Sequence, residues 1–532
     1  MTARRELVTR SVRIGHRGRD RLAGVNGAEL LLGSQDPSAL ALVCLADGVR
    51  ETYSFGEVEQ LGGAVAAQLS SAGVSAGDVV MTVIGSRVEW VAAMLGALHV
   101  GAAVLPCLEQ LRPRDLAGRL RATRPAAVLT LARGRETVDA AVALLANTSD
   151  GSNAPAELPA PLVVELSVEA LTSDASPVPP RPVLTPTDPA LLTFTSGTSG
   201  PPKAVVHGLK YIAGQHVQAE HWFGARPGEL AWCTAAPGWS KSARNVFIAP
   251  WLRGAPALLH DARFDPQERL AVLRAERPGV LCMAPTEYRL LAARTDLDLP
   301  DSLRRLVAAG EALDPAVLAA WHRATGLWVR DGFGQTETGQ LTAPPDGTDP
   351  LPGSMGRPLP GMQLVVDRAD PADEVGELVV SDPASVPTFF LGYLDPATGR
   401  PLPHEGPWRT GDRVRQDSGG NLFFVGRTDD VIVSSGYRIG PFEVESVLVE
   451  HQAVAEAAAV AAPDPDRGSI VRAVVVLRDG HEPSNGLVAE LQAHVRERTA
   501  PYKYPRRIDF VDALPKTPSG KIRRAQLRDE TG

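Results

Sequence analysis

Apolar positions along residues 40–135 recur in two alternating periods. FGEVEQLGGAVAAQLSSAG spaces them three and four apart, as on an amphipathic helix, whereas DVVMTVIG is a short unbroken apolar run, as in a buried strand. Segments of the two kinds in alternation predict an α/β arrangement on a largely parallel sheet. Residues 150–188, rich in Pro, Ser, Ala and Asp, predict a surface connection, and the α/β alternation resumes over 190–330. Over 353–425 the runs MQLVV, GELVV and NLFFVG are separated by Gly, Pro and Asp, which predicts a small β-rich subdomain. After Gly426 the texture changes. Pro441 stands where a helix can begin, with Glu443 and Glu445 in its first turn. IVRAVVVL reads as a strand and SNGLVAELQAHVRERTA as a capped amphipathic helix, while VAEAAAVAA fits either state. The last roughly 100 residues are therefore expected to form a small α/β domain of their own.

The length of 532 residues supports that division, because single cores rarely grow past about 250–300 residues. A composition of 44% apolar and 22% charged residues is that of a globular protein, and a net charge of −8 argues against a general nucleic-acid binder. The N-terminal segment MTARRELVTRSVRIGHRGRD lacks the apolar core of a signal peptide. Residues 90–108 approach the length of a membrane span, but His99 at the middle, Gly96, Gly101 and Pro106 favour a buried helix over about 87–100 followed by a short strand. With no membrane span, a cytoplasmic location is expected. Cys44, Cys107, Cys233 and Cys282 are scattered without a CxxC pair and read as buried reduced thiols. A homo-oligomer is left open.

The segment TFTSGTSGPPK, residues 193–203, sets Thr195, Ser196, Thr198, Ser199, Gly197, Gly200 and Lys203 in a loop after the apolar strand ALLTF. Glycines let a backbone approach an oxyanion closely, and hydroxyls, N–H groups and an ammonium can then surround phosphate oxygens. It is not a Walker A loop, since Lys203 follows Pro-Pro. The string closely resembles the phosphate loop of the adenylate-forming superfamily: acyl-CoA synthetases, peptide-synthetase adenylation domains and luciferases. The other motifs of that superfamily follow in order as DGFGQTET (331–338), WRTGD (408–412), GRTDD (426–430) and PKTPSGKIRR (515–524). PGWSKSARNVFIAPWLRGA, APTEYRLL, SSGYRIGPFEVES, PDPDRG and APYKYPRRIDFVDALPKTPSGKIRR look most like the medium-chain acyl-CoA synthetases.

The resemblance implies an α/β fold with a large N-terminal region, residues 1–428, of stacked α/β subdomains plus a β-rich subdomain, joined to a small mobile C-terminal α/β domain, residues 429–532, with Asp429 as the hinge. It implies activation of a small-molecule acid by ATP and Mg²⁺ as an acyl-adenylate, then transfer to coenzyme A. By the same resemblance the loop from Thr195 to Lys203 holds the β- and γ-phosphates, Thr336 contacts the α-phosphate and Glu337 holds Mg²⁺, a hard cation suited to carboxylate oxygen. Gly310, Glu311 and Ala312 form one wall of the adenine site; Asp331, Gly332 and Phe333, followed by Gly334 and Gln335, form the other. Asp412 and Arg427 take the ribose, and Lys521 bridges the carboxylate and α-phosphate oxygens. Ser435, Gly436, Tyr437, Arg438, Arg467, Tyr504, Pro505 and Arg506 occupy the coenzyme A positions of the medium-chain branch.

The acid is less well specified. Acetyl-CoA synthetases carry Trp where Gly334 stands, so a pocket longer than acetate is expected, for a medium-chain, branched or aromatic acid. Trp239, Lys241, Arg244 and Val246 lie in a segment that lines the pocket in relatives. Arg244 either faces solvent or meets a polar or anionic substituent, since an aliphatic tail gains nothing from a buried cation. His207, His216 and His221 follow the phosphate loop, as structural histidines or with one touching the acid. Two alternatives share the adenylation step: a carrier-protein thiol or an amine as acceptor, and adenylation of nitrite for transfer to an aryl amine. A catalytically dead nucleotide sensor is disfavoured by the presence of Glu337, Asp412 and Lys521.

Overall fold

The computed structural model describes residues 25–146, 160–195, 202–293, 297–310, 313, 315–428, 430, 432–434, 437–464, 468–499, 503–517 and 521–529. The reading of the N-terminal segment as other than a signal peptide falls outside them.

Two sheets organise the N-terminal region. A seven-stranded sheet runs in the order Val329–Gly332, Arg305–Ala309, Val280–Met283, Ala231–Cys233, Ala257–His260, Leu40–Ala46, Val49–Ser54, parallel except for its last strand. An eight-stranded sheet runs Arg400–Leu402, Gly392–Asp395, Lys203–Gly208, Pro189–Thr195, Ala103–Cys107, Val79–Val83, Ala127–Thr130, Leu162–Glu165. Because side chains alternate across a strand, each sheet feeds two cores. Leu42, Cys44 and Cys282 point into the central core with Val80, Val104 and Val205 of the other sheet, packed on the helices Phe55–Ser71, Val88–His99 and Leu209–Gln218. The intervening Val43, Leu281 and Met283 enter a second core under the helices Pro266–Glu276, Pro285–Ala292 and Pro315–Thr325. Met81, Leu105 and Val128 enter a third, against Pro113–Thr123 and Ala132–Ala146. The stacked α/β reading is thus observed as helix, sheet, helix, sheet, helix.

The run at 90–108 is the buried helix Val88–His99, capped at Val100, and the strand Ala103–Cys107. Among the described residues no helix is long and apolar enough to cross a membrane. All four cysteines are buried and unbridged. The expected β-rich piece is a four-stranded antiparallel sheet of Leu364–Asp367, Val375–Val380, Trp408–Gln416 and Leu422–Arg427. The span 150–188 needs correction as a plain connection. Leu162–Glu165 adds an edge strand in register with Ala127–Thr130, and Val168–Ser173 is a short helix capped by Ser167, because a Leu-Val-Val run completes the sheet however polar its flanks.

The C-terminal domain has a separate core. Pro441–Val449 begins with Pro at its first turn, and Ser484 caps Asn485–Arg498, both as expected. The ambiguous VAEAAAVAA lies in a strand, Val454–Asp464, paired antiparallel with Gly468–Leu477. Its alanines pack on opposite sides, Ala457 and Ala459 with Leu448 and Leu491, Ala458 with Leu514 and Leu527. Small side chains on both faces suit a strand covered twice, so tertiary burial overrides the helical leaning of alanine.

Candidate active site

Strand Trp408–Gln416 presents Trp408, Thr410 and Asp412 towards Gln335. The Trp408 indole N–H donates to Gln335 Oε1 at 2.9 Å; the indole is only a donor, so the amide oxygen must face it. The amide nitrogen then donates to Asp412 Oδ2 and to the Thr410 carbonyl, each at 2.7 Å. Arg427 Nη1 donates to the other Asp412 oxygen at 3.1 Å and to Thr410 O at 3.0 Å. Gly411, between them, has φ 70°, and a Cβ there would stand 2.8 Å from Arg427 Nη2. Only glycine adopts that conformation without strain and leaves the guanidinium its place. Burial raises the Asp412 carboxyl above the usual carboxylate range; Arg427, Gln335 and Lys521 act against it. Lys521 therefore lies within electrostatic reach of Asp412. The Lys521 N–H donates to Thr517 Oγ1 at 3.1 Å and its carbonyl accepts from Thr517 N at 2.8 Å.

Register assembles the residues expected to face phosphate. Thr195 and Lys203 are antiparallel partners, so the two ends of the Ser/Gly/Thr loop meet; Ser196, Gly197, Thr198, Ser199 and Gly200 lie outside the described residues. Gly392–Asp395 pairs with Lys203–Gly208, and Tyr393 there donates its hydroxyl to Glu337 Oε1 at 2.7 Å while the Lys203 ammonium stands 5.1 Å from its ring centroid. Tyr393 thus links the lysine and the carboxylate. Burial, and then the Glu337 charge, push its phenol above the ordinary value. The sequence reading missed it; the available signal was a tyrosine closing the aromatic run of Phe389 and Phe390.

His207 Nε2 is 2.8 Å from the Thr336 carbonyl, which can only accept, so Nε2 carries the proton. Burial drives the pKa of this histidine down to about 3, and its Nδ1 has no hydrogen-bond partner among the described residues. His216 and His221 instead face Glu220 and Asp346 at 3.3 and 3.4 Å and are structural.

Towards the acid side, Lys241 Nζ donates to Ala309 O at 2.9 Å, beside Gly310. Glu311 and Ala312 lie outside the described residues. Trp239 is half-buried and holds the Ser242 hydroxyl through its carbonyl at 2.7 Å; Val246 is buried. Arg244 is only 4% exposed, which overturns the solvent-facing alternative. Asp331 is buried and accepts the Gly332 N–H, and Phe333 N donates to Thr342 Oγ1. A Cβ at Gly334 would stand 2.1 Å from Gly339 O and 2.9 Å from Gln340 Cα. A glycine there therefore also answers to the close approach of the neighbouring strand.

On the C-terminal domain, Tyr504 lies between two cations. Arg506 Nη1 donates to its hydroxyl at 2.9 Å, and the Arg496 guanidinium, which the sequence reading did not single out, stands 4.2 Å from its ring centroid. Tyr437 and Arg438 lie on the strand Tyr437–Ile439; Asp429, Ser435, Gly436 and Arg467 fall outside the described residues.

Comparison with known proteins bears on this arrangement. Residues 33–394 match the family described as AMP-binding enzyme, and residues 443–521 match the AMP-binding enzyme C-terminal domain. The uncharacterized acyl-CoA ligase YtcI of Bacillus subtilis is 38% identical over 495 residues, 90% of this chain and 91% of that protein. The mitochondrial acyl-coenzyme A synthetase ACSM3 of Rattus norvegicus is 34% identical over 501 residues, 91% of this chain and 85% of that one. Among solved structures, the anthranilate CoA ligase AuaEII in complex with anthranoyl-AMP matches with a TM-score of 0.84 at 27% identity, covering 96% of this chain and 98% of that one.

Proposed function

The chain belongs to the AMP-binding enzymes, the family of acyl-CoA ligases, and from that premise we propose that it activates a medium-chain, branched or aromatic acid with ATP and passes the acyl group to coenzyme A. The observation that carries the reading is the joint Gln335–Asp412–Arg427 network with the positive charge of Lys521 brought to it from the other domain. An acceptor for ribose hydroxyls and a cation for the reacting anions then stand in one place.

In this reading the carboxylate oxygen of the acid attacks the α-phosphorus of ATP, and the bond to the bridging oxygen of pyrophosphate breaks. Two anions must meet, so charge neutralisation and alignment do most of the work. Lys521 serves the carboxylate and α-phosphate oxygens, and Thr336 the α-phosphate. Lys203 and the loop before it serve the β- and γ-phosphates. Asp412 and Arg427 hold the ribose; the adenine sits between Gly310–Ala312 and Asp331–Phe333. Among the described residues there is no cluster of three or more metal-ligating side chains. A single carboxylate, Glu337, held by Tyr393, fits Mg²⁺, which usually takes one or two carboxylates together with substrate phosphates. When bound, Mg²⁺ would neutralise phosphate charge there.

In the second step the coenzyme A sulfur attacks the acyl carbon, its proton passes to solvent, and AMP leaves. Tyr504 with Arg506, and Arg496 beside them, offers cations to the nucleotide end, with Ser435, Gly436, Tyr437, Arg438 and Arg467. Between the steps the domain from 429 onward rotates about Asp429, withdrawing Lys521 from residues 1–428. The break between the two family matches, at 394 and 443, and the separate core of the C-terminal domain support that division.

The test is AMP release from ATP and Mg²⁺ against a panel of acids, with and without coenzyme A, with products read by mass. AMP together with a thioester is the expected result. AMP without a thioester would replace coenzyme A by a carrier thiol, an amine or a nitrite-derived route.

A further inference from the structure

Five buried side chains beside the reacting site keep polar atoms without a hydrogen-bond partner among the described residues: Nδ1 of His207, Oε1 of Gln215 and of Gln218, Nε and Nη1 of Arg244, and Nδ2 of Asn245. These residues are between 0% and 4% exposed. They come from two elements. Tyr211, Gln215 and Gln218, spaced four and three apart, share one face of the helix Leu209–Gln218. Arg244 and Asn245 open the π-helical turn Arg244–Ile248, and Gln218 Nε2 donates to Asn245 Oδ1 at 3.1 Å, joining the two. Isolated π turns recur at functional sites.

Arg244 is the outlier of the group. No carboxylate among the described residues forms an ion pair with it. Its guanidinium acts on the Tyr211 hydroxyl and, by charge, on His207 and Cys282. A buried cation without a counter-charge is costly, and unsatisfied buried polar groups mark an absent partner. The contacts say where that partner sits. Thr336 O touches His207, the His207 ring lies against Tyr211 with centroids 3.9 Å apart and planes tilted by 32°, and the far end of Tyr211 meets Arg244. Arg244 is thus two ring side chains away from Thr336 and the reacting end, which suits a group on the tail of the acid rather than its reacting carboxylate.

Resting on the adenylation reading above, we propose that Arg244 receives a second, anionic oxygen group on the tail of the acid, with Gln215, Gln218 and Asn245 completing its hydrogen bonds. The acids activated are then dicarboxylates or acids with an equivalent tail oxyanion. A site built to hydrogen-bond a substrate group rejects the analogue lacking it strongly, by about 10⁴-fold at best.

The experiment measures kcat/KM for AMP release with adipate against hexanoate, and with each benzenedicarboxylate against benzoate, for the wild-type full chain and for Arg244→Leu and Arg244→Lys. ATP binding by calorimetry and thermal melting accompany each variant. The expected result is a preference of about 10²-fold or more for the diacid in at least one pair, reversed in Arg244→Leu and partly kept in Arg244→Lys, with ATP affinity unchanged. Monoacids turned over best by the wild type, with Arg244→Leu leaving the ratios alone, would overturn this inference and keep the ligase reading. A loss in Arg244→Leu that is equal for all acids would assign the cation to ATP instead and also overturn it. ATP bound but no AMP released with any acid would sink the ligase reading, and this inference with it. Should Arg244→Leu fail to fold, Arg244→Lys and Gln215→Leu carry the comparison.

Discussion

The Asp412 network, proposed to face the nucleotide, and the Arg244 cluster, proposed to face the acid, are both polar and centred on buried charged groups, yet they are finished to different degrees. Around Asp412, Gln335 uses both amide protons and its carbonyl, Arg427 holds the second carboxylate oxygen, and Trp408 fixes the amide orientation. Around Arg244, atom after atom has no partner among the described residues. A network closed on itself is rigid and pre-organised for a ligand that never changes, in the proposed function the nucleotide. A network left open specifies what the ligand must bring.

That contrast can be broken or sharpened by substitution. Lys521→Ala removes the cation that both sides share; adenylation, measured by pyrophosphate exchange, should fall at least about 10³-fold with ATP binding largely intact. Near-normal exchange would remove Lys521 from the chemistry. Asp412→Asn opens the closed network, and KM for ATP should rise about 10–10²-fold. Because the folded Asp412 carboxyl titrates above the ordinary aspartate value of 3.8, wild-type ATP affinity should be lost on acidification already above that pH. In that window the folded state holds the proton more tightly than the unfolded one, so ionisation of Asp412 lowers stability as pH rises. The Asn variant should lack both effects, and an unchanged acid limb would assign it elsewhere.

Tyr393→Phe removes one hydrogen bond to Glu337; kcat/KM should drop about 10-fold and half-maximal rate should need more Mg²⁺. An unchanged Mg²⁺ dependence would leave Tyr393 a packing residue. The smallest effect is expected at His207, whose pKa falls from 6.5 unfolded to about 3 folded. The unfolded state binds the extra proton between those values, so His207 contributes stability that is full above 6.5 and is lost as pH falls towards 3. His207→Gln, which can still donate to Thr336 O, should flatten the decline of Tm between pH 7 and pH 5; an equal slope would contradict the neutral assignment.

Much of this was legible in the chain. The strand IVRAVVVL and the helices beginning at Pro441 and Ser484 in the C-terminal domain, the buried helix after Arg87 and the three β-rich runs stand where their patterns place them. So do Asp412 and Arg427, named from two short motifs that a strand pair brings into register. Tyr393 and Arg496 were not legible, because neither lies in a motif: Tyr393 meets Glu337 at a separation of 56 residues, and Arg496, on the helix Asn485–Arg498, meets Tyr504 from beyond the end of that helix. At Gly334 a further constraint was not legible, the backbone of Gly339 and Gln340 folded against it.

The sequence by itself determined most of the element types, the family and the residue types able to neutralise and hold a nucleotide, because these depend on spacing within short segments. The tertiary structure decided which polar groups close on each other and which stay open. Burial sets the cost of an unpaired charge, and whether Arg244 faces water or lies sealed beside Tyr211 depends on two elements meeting, a fact no local pattern contains.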